Sequence, residues 1–213
     1  MPSTKSGSGS NSVFVELIEL LRCPRQHPES QLVVAATHSV DRHIVDGMLG
    51  CPVCNAEFPI RNGVAQFDAV DSTPAVPPDP ELAIRLAAFL DLTDARGFAL
   101  LAGAWCAQLD ALQRICETPI VLINPPPNTG GIPAGVIQCN SAPFATGALR
   151  AATVAGESLL RDSIVRAVRA GGRILATSAI PVPVDVTELD RDDAMWVAEK
   201  GGGAVIYNIQ RSK

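Results

Sequence analysis

The pair Cys51-Pro52-Val53-Cys54 constrains this chain more than any other stretch. A C-x-x-C spacing lets a tight turn aim two thiolates at one tetrahedral metal, and zinc is the usual occupant. Gly50 before the turn and Gly63 after Phe58-Pro59-Ile60 permit sharp backbone bends. A structural zinc site wants four ligands, so a second pair is required. Cys23 and His27, in Cys23-Pro24-Arg25-Gln26-His27, supply it and give a Cys3His set. His38 and His43 compete for the fourth place, and each also reads as an ordinary surface or strand histidine. The competing reading of Cys51 and Cys54 is a buried reduced pair or a redox pair. A redox C-x-x-C opens a helix, and Pro59 with Gly63 argues against a long helix after Cys54.

The residues around the pair predict a small sheet. Val13 to Leu21 has helical apolar spacing up to the first ligand pair. Gln31 to Thr37 and Arg42 to Leu49 read as strands, the second turning into Cys51. Phe58 to Ile60 and Val64 to Phe67 read as short extended pieces. A unit this small usually needs a staple, and a metal would supply it.

The whole chain has 213 residues, room for one good domain or two small ones. Four prolines between Pro74 and Pro80 mark a linker. The expected organisation is a disordered tail at 1–12, a zinc-binding domain at 13–70, a linker at 71–80 and an α/β domain at 81–213. Within the last part, Gly97 to Ala102, Pro119 to Ile123, Ala134 to Gln138, Ala148 to Val154 and Arg173 to Ser178 read as strands. Leu82 to Leu90, Cys106 to Cys116 and Glu157 to Ala170 read as helices, with Gly171-Gly172 ending the last. Asp190 to Lys200 reads as a short helix and Ala204 to Ile209 as a final strand. Alternating strands and helices predict a parallel, doubly wound α/β sheet.

Composition narrows the function classes. Net charge is −5 and the basic residues are scattered, which argues against a nucleic-acid footprint. No apolar run reaches the roughly 18 residues of a membrane span. The polar start has no apolar signal region. Six cysteines suggest no disulfide framework. Cys106, Cys116 and Cys139 read as reduced core thiols, and a cytoplasmic location follows.

Two resemblances sit on these residues. Leu17 to Pro24, then Gly47-Met-Leu-Gly-Cys51-Pro-Val-Cys54, then Phe58-Pro-Ile-Arg-Asn-Gly63-Val64, resembles the small zinc-binding family that serves as activator subunit for tRNA and release-factor methyltransferases. It covers roughly residues 13–68. The family's first knuckle is usually C-P-x-C, whereas this chain has Cys23-x-x-x-His27, and the stretch between the knuckles is longer. The resemblance implies a zinc module that works with a methyltransferase. The second half is similar in element order to class I methyltransferases that use S-adenosylmethionine. Leu159 to Thr177 resembles the helix, "R-P-G-G-R-L" turn and following strand, and Ala142-Pro143-Phe144 the family's "L-P-F".

Carried over residue by residue, the cofactor positions of that second family are mostly replaced. The acid ending its first strand falls on Leu101. Its three glycines fall on Gly103, Trp105 and Ala107. The acid ending its second strand falls on Asn124, and that following the third on Gln138, Cys139 or Asn140. Asparagine lacks the paired acceptors of a carboxylate, and Trp105 is expected to fill space that glycine leaves open. The degenerate site near Gly103, Trp105 and Asn124 therefore predicts a closed or reshaped pocket and no useful binding of S-adenosylmethionine.

No G-x-S-x-G elbow, no P-loop and no histidine occur in the second half. Asp190-Arg-Asp192-Asp193 reads as a solvated helix start. The leading expectation is a non-catalytic zinc-binding protein whose methyltransferase-like domain serves as a scaffold or regulatory interaction module. It leaves a protein partner or self-association open. The alternatives are a methyltransferase with an atypical cofactor site, and an activator subunit of a separate methyltransferase.

Overall fold

The computed structural model describes residues 11–202. Val13–Phe14 is β1, Val15–Ile18 α1, Val33–Val40 β2, His43–Gly50 β3, Glu57–Arg61 β4 and Val64–Gln66 β5. Pro80–Phe89 is α2 and Ala99–Ala102 is β6. Gly103–Gln108 forms a 3-10 helix leading into α3, Leu109–Gln113. Ile120–Ile123 is β7, Gly135–Gln138 β8, Leu149–Thr153 β9 and Ser158–Ala167 α4. Val168–Thr177 is β10, Val186–Arg191 β11 and Met195–Lys200 β12.

Local chemistry explains several of these elements. Asn62 and Gly63 both have positive φ, 49° and 72°, between β4 and β5. That is the backbone of a two-residue hairpin turn, which Asn-Gly adopts at least cost. Only glycine fits at position 63, because an added Cβ would lie 1.9 Å from the Asn11 carbonyl oxygen. Asp79 caps α2, its carboxylate accepting from the Glu81 and Leu82 amides, and Pro80 sits in the first turn. β6, β7 and β9 are buried at every residue, as the apolar runs require.

The strands form one sheet in the order β1-β3-β4-β5-β8-β7-β6-β9-β10-β12-β11, with β2 paired to β3. The stretch β5-β8-β7-β6-β9-β10 is parallel, and β12 and β11 are antiparallel at its end. The small N-terminal sheet is thus continuous with the α/β sheet through β5 and β8, with Val64 opposite Val136 and Gln66 opposite Gln138. Further backbone bonds tie the two: the Phe14 amide donates to the Ala134 carbonyl, Arg22 to Pro143 and Ala145 to Leu20. One apolar face packs Leu17, Leu21 and Phe58 with Ile137, Phe144 and Ile164 of α4. The other packs α2 and α3 through Leu86, Leu109 and Leu112 on Leu101 and Leu122. Helices on both faces of a mainly parallel sheet make the doubly wound α/β arrangement that the pattern predicts.

Three expectations need correction. Asp190 to Lys200 is not a helix: it spans the end of β11, a turn and β12. Its apolar residues pack into the sheet, where Trp196 pairs with Ala176 and Val197 with Leu175. The turn is set by Asp192, whose carboxylate accepts from the Ala194 and Met195 amides. Gly171-Gly172 does not cap α4, which ends at Ala167. The two glycines lie in a register shift of β10, and a Cβ on Gly172 would come within 2.6 Å of the Arg150 carbonyl oxygen. Val13 to Leu21 is only briefly helical, because Val13 and Phe14 pair with Ile44 and His43. Met1–Ser10 and the expected strand at Ala204 to Ile209 lie outside the described residues. No described helix is long and apolar enough to cross a membrane.

Candidate metal centre and strand-end cleft

Cys51 is placed by β3, whose last residue is Gly50. The turn that follows is closed by the Asn55 amide donating to the Cys51 carbonyl and the Cys51 amide to the Ala56 carbonyl, with Asn55 at φ 56°. No helix follows Cys54, so the turn is not a redox helix start and has the form of a ligand knuckle. Cys23 comes from the segment after α1, held by its amide to the Ser30 carbonyl.

Cys23, His27, Cys51 and Cys54 converge, with one ligand atom from each within 4.8 Å of all the others. Cys51 Sγ lies 3.4 Å from His27 Nε2, and Cys23 Sγ lies 3.7 Å from Cys54 Sγ. A tetrahedron with Zn–S bonds of about 2.3 Å has an S···S edge of about 3.8 Å. The four residues therefore fit a tetrahedral zinc ion. His27 Nδ1 lies 2.7 Å from the Pro28 carbonyl oxygen. A carbonyl only accepts, so Nδ1 carries the proton and Nε2 presents its lone pair to the centre.

The thiols differ in acidity. Burial pushes Cys23 up to about 11, and the neighbouring thiols add to this. At Cys51 burial also works against ionisation. The Cys54 and Val53 amides, together with the other thiols, outweigh it and bring the group down to about 6.

The competing histidines lie elsewhere. His38 pairs with Asp46 at 3.5 Å on an exposed strand. His43 Nδ1 is 3.0 Å from Ser12 Oγ, and its ring packs on Phe14.

The second candidate region lies at the carboxyl ends of β6, β7, β8 and β9, where open α/β sheets bind ligands. A cleft of about 540 Å³ is present there, with Gly103, Asn124, Asn140 and Gly156 on its walls. Of the two expectations, a closed or a reshaped pocket, the first does not hold, since a cleft is present. Trp105 is not on its lining. It packs on the α2 and α3 face, and its indole Nε1 donates to the Val154 carbonyl. Asn124, at φ 49°, spends its amide within the sheet: Nδ2 donates to the Cys139 carbonyl and Oδ1 accepts from the Cys139 amide. The end of β7 therefore carries an amide bonded to Cys139 and no carboxylate.

Sequence reasoning missed the proline-rich segment as part of this cleft. Val70, Asp71 and Thr73 form one wall. The segment is pinned at three places. Asp68 accepts from the Asn140 amide, Thr73 Oγ1 donates to the Asn124 carbonyl, and the Asp79 amide donates to the buried Gln108 side chain. The proline count reports stiffness and not contact, so nothing local signalled this. Also unforeseen was Arg150, a buried guanidinium that donates to the Asp94 carboxylate and to the carbonyls of Asp91, Asp94 and Arg96.

Fold and site together define a metal-clipped β module whose sheet continues into a doubly wound α/β sheet. Residues 15–63 match the family model described as Trm112p-like protein, which spans the ligand cluster. No curated protein sequence matches the chain. Among solved structures, the chain is similar to geranyl diphosphate C-methyltransferase from Streptomyces coelicolor A3(2), at 17% identity and TM-score 0.36, over 45% of this chain and 43% of that one. The chain thus spans less than half the length of that enzyme. It is similar to an RNA methyltransferase from Salinibacter ruber at 14% identity and TM-score 0.40, over 59% of this chain and 94% of that one. It is also similar to the N-methyltransferase NodS from Bradyrhizobium japonicum WM9 at 14% identity and TM-score 0.39, over 57% and 96%.

Proposed function

We propose that this is a zinc-binding protein in which a Trm112p-like module supports, within one chain, a methyltransferase-like domain that is non-catalytic and serves in protein interaction or regulation. The observation that carries the reading is β5 paired to β8: the module's sheet edge is already filled by its own chain. That favours action in cis over action as an activator subunit of a separate enzyme. Asn124, with both amide atoms spent on Cys139, supports the non-catalytic assignment. In this reading zinc, held by Cys23, His27, Cys51 and Cys54, is structural: four protein ligands leave no open position for a reactive water. The boundary at 71–80 separates two folding units. Six cysteines, three in the ligand set and none in a disulfide, support a reducing compartment such as the cytoplasm, and the negative net charge supports a partner other than nucleic acid.

Metal analysis tests the first part, with one zinc per chain expected; less than about half an ion per chain with reduced thiols opposes it. Calorimetry with S-adenosylmethionine tests the second. A dissociation constant weaker than about 1 mM is expected, since each lost charge-assisted bond removes about 1.5–3 kcal/mol. Binding in the low micromolar range would remove one support of the non-catalytic reading and favour the second reading, an atypical methyltransferase, to which the cleft at the strand ends gives room.

A further inference from the structure

The sheet has a long edge strand at each end, and the two are built differently. One is β11, Val186–Arg191. It carries Glu188, Asp190 and Arg191, and its pairing with β12 shifts register between Glu188 and Asp190. Charged side chains and bulges keep a sheet edge from pairing with another strand. The other edge is β2, the eight residues Val33–Val40. It contains no Lys, Arg, Asp, Glu or Pro. Its one ionisable side chain, His38, lies 3.5 Å from Asp46 of its own hairpin. β3 carries β2 on one side and β1 and β4 on the other, so the far side of β2 is free. Among the described residues no backbone hydrogen bond reaches β2 from anywhere but β3. Its register with β3 is unbroken from Val33 to Ala36 and shifts only after that. Val34 packs on the core, while Val33 and Ala35 lie on the other face, with Val33 59% exposed. Val33–Ala36 is thus an uncharged, regular run whose alternate amides and carbonyls point away from β3.

We propose that β2 is a self-association edge, through which two copies of this chain pair antiparallel along Val33–Ala36 and join their sheets. A two-fold axis through Val34 sets Val33 of each copy opposite Ala35 of the other, with matching backbone groups face to face. The exposed valine is then covered by a small residue, and no like charges meet. The same operation on β11, about Leu189, would set Glu188 against Asp190, a destabilising pair. An unrelated extended peptide has no such built-in match to this edge, whereas the strand is complementary to itself. Pairing over so short a run buries less than the roughly 1,200–2,000 Å² of a standard interface. The dimer is therefore weak, with a dissociation constant on the order of 10–100 µM. Val33 pairs with Gly50, the residue before Cys51, so the edge is in place only while the metal-clipped module is folded. This goes beyond the non-catalytic reading, since the edge lies in the module and pairs whatever the second half does.

The test is sedimentation velocity of the full-length, zinc-loaded protein from about 5 µM to about 500 µM, a range that brackets such a constant. A shift from monomer to dimer is expected across it. Each copy carries a net charge of −5, so added salt is expected to leave the dimer unchanged or strengthen it, unlike an ion-paired interface. Val33→Lys is expected to weaken the dimer at least about tenfold, as a charge on a bare edge does. Val33→Lys with Ala35→Glu, which sets opposite charges across the two-fold, is expected to regain part of it. Thr187→Lys on β11 is expected to change nothing. All three positions are exposed, so zinc content and Tm are expected to stay near the parent's. Zinc content measured on the same samples separates loss of the module from loss of the edge. The proposal is overturned if the parent is monomeric throughout, if Val33→Lys dimerises normally, or if Thr187→Lys is the change that breaks the dimer. A monomer whose β2 amides are nevertheless protected from hydrogen exchange also overturns it, since another part of the chain would then cover the edge. The two readings fail separately. Low micromolar binding of S-adenosylmethionine by a dimer removes the support for the non-catalytic reading and keeps the edge. A monomer that binds none does the reverse.

Discussion

The metal-clipped module and the α/β half solve the same problem by different means. In the module, β2 is exposed along most of its length and β4 and β5 are short. In the proposed reading its cohesion comes from a metal held by the four converging residues, beside a core it shares with the α/β half and its docking on β8. In the α/β half, β6, β7 and β9 are buried on both faces and helices cover them. That half is held by burial, and its polar groups serve to lock loops. The contrast teaches that one continuous sheet can carry a four-residue metal cluster at one end and strands buried on both faces at the other.

The largest expected effect is loss of the clip. Cys51→Ser should abolish zinc binding and unfold the module, because ligation free energy is folding free energy, about 10 kcal/mol or more in zinc-finger peptides. Hydrogen exchange should rise across residues 13–67 and much less across 99–177. Equal loss in both regions would break the comparison and make the chain one cooperative unit. His27→Ala should also lose the metal, while His38→Ala and His43→Ala should keep it; metal loss in His38→Ala would move the fourth ligand.

Phe144→Ala probes the seam. Phe144 is buried in the core shared by both halves and forms a bridge with Leu21. Truncation should cost about 3–5 kcal/mol in urea unfolding. It should loosen both halves together, in contrast to Cys51→Ser.

Arg150→Met should act on the α/β half alone. The side chain is 7% exposed, and its removal takes one donor from the Asp94 carboxylate, which keeps Arg96, and the guanidinium from the Asp91 and Arg96 carbonyls. We expect a loss of about 3 kcal/mol, with zinc content unchanged. Replacement by Lys should recover little of it, since one ammonium cannot match the guanidinium fork.

The smallest effect is a pH dependence that belongs to the same loop. Arg96, by its side chain and its amide, and then Arg150 hold the Asp94 carboxyl well below the usual carboxylate range. A carboxyl depressed in the folded state contributes stability above its unfolded value, near pH 4, and loses it as pH falls through the lower folded value. Tm measured from pH 7 down to pH 3 should therefore fall less steeply for Asp94→Asn than for the parent. Identical slopes would remove Asp94 from the account.

Much of this architecture was legible locally. Periodicity marked β6 to β10, α2 and α4 to within a few residues, because burial on both faces leaves an unbroken apolar run. Gly63 marked a sharp bend, which the structure shows as the hairpin turn at Asn62-Gly63. What failed were the elements whose neighbours decide them. The stretch from Asp190 to Lys200 carries charges that suit a helix start. Met195, Trp196 and Val197 instead fill places beside β10. Gly171-Gly172 has the look of a helix end and serves a close approach to Arg150 in another strand.

The sequence by itself determined the chemistry of the clip: which residue types, at what spacing, and on which turn. It also determined that a parallel α/β sheet follows a proline-rich stretch. The tertiary structure decided which histidine meets the three thiols, since His27, His38 and His43 are alike in type and only packing separates them. It decided that β5 joins β8, that Trp105 bonds the Val154 carbonyl off the cleft lining while Asn124 bonds Cys139, and that the segment with Asp71 and Thr73 walls a cleft. Local preferences are set by residues a few places apart and can be read along the chain. These outcomes join residues such as Thr73 and Asn124 that are 51 places apart, and only the packing of the whole sheet brings them together.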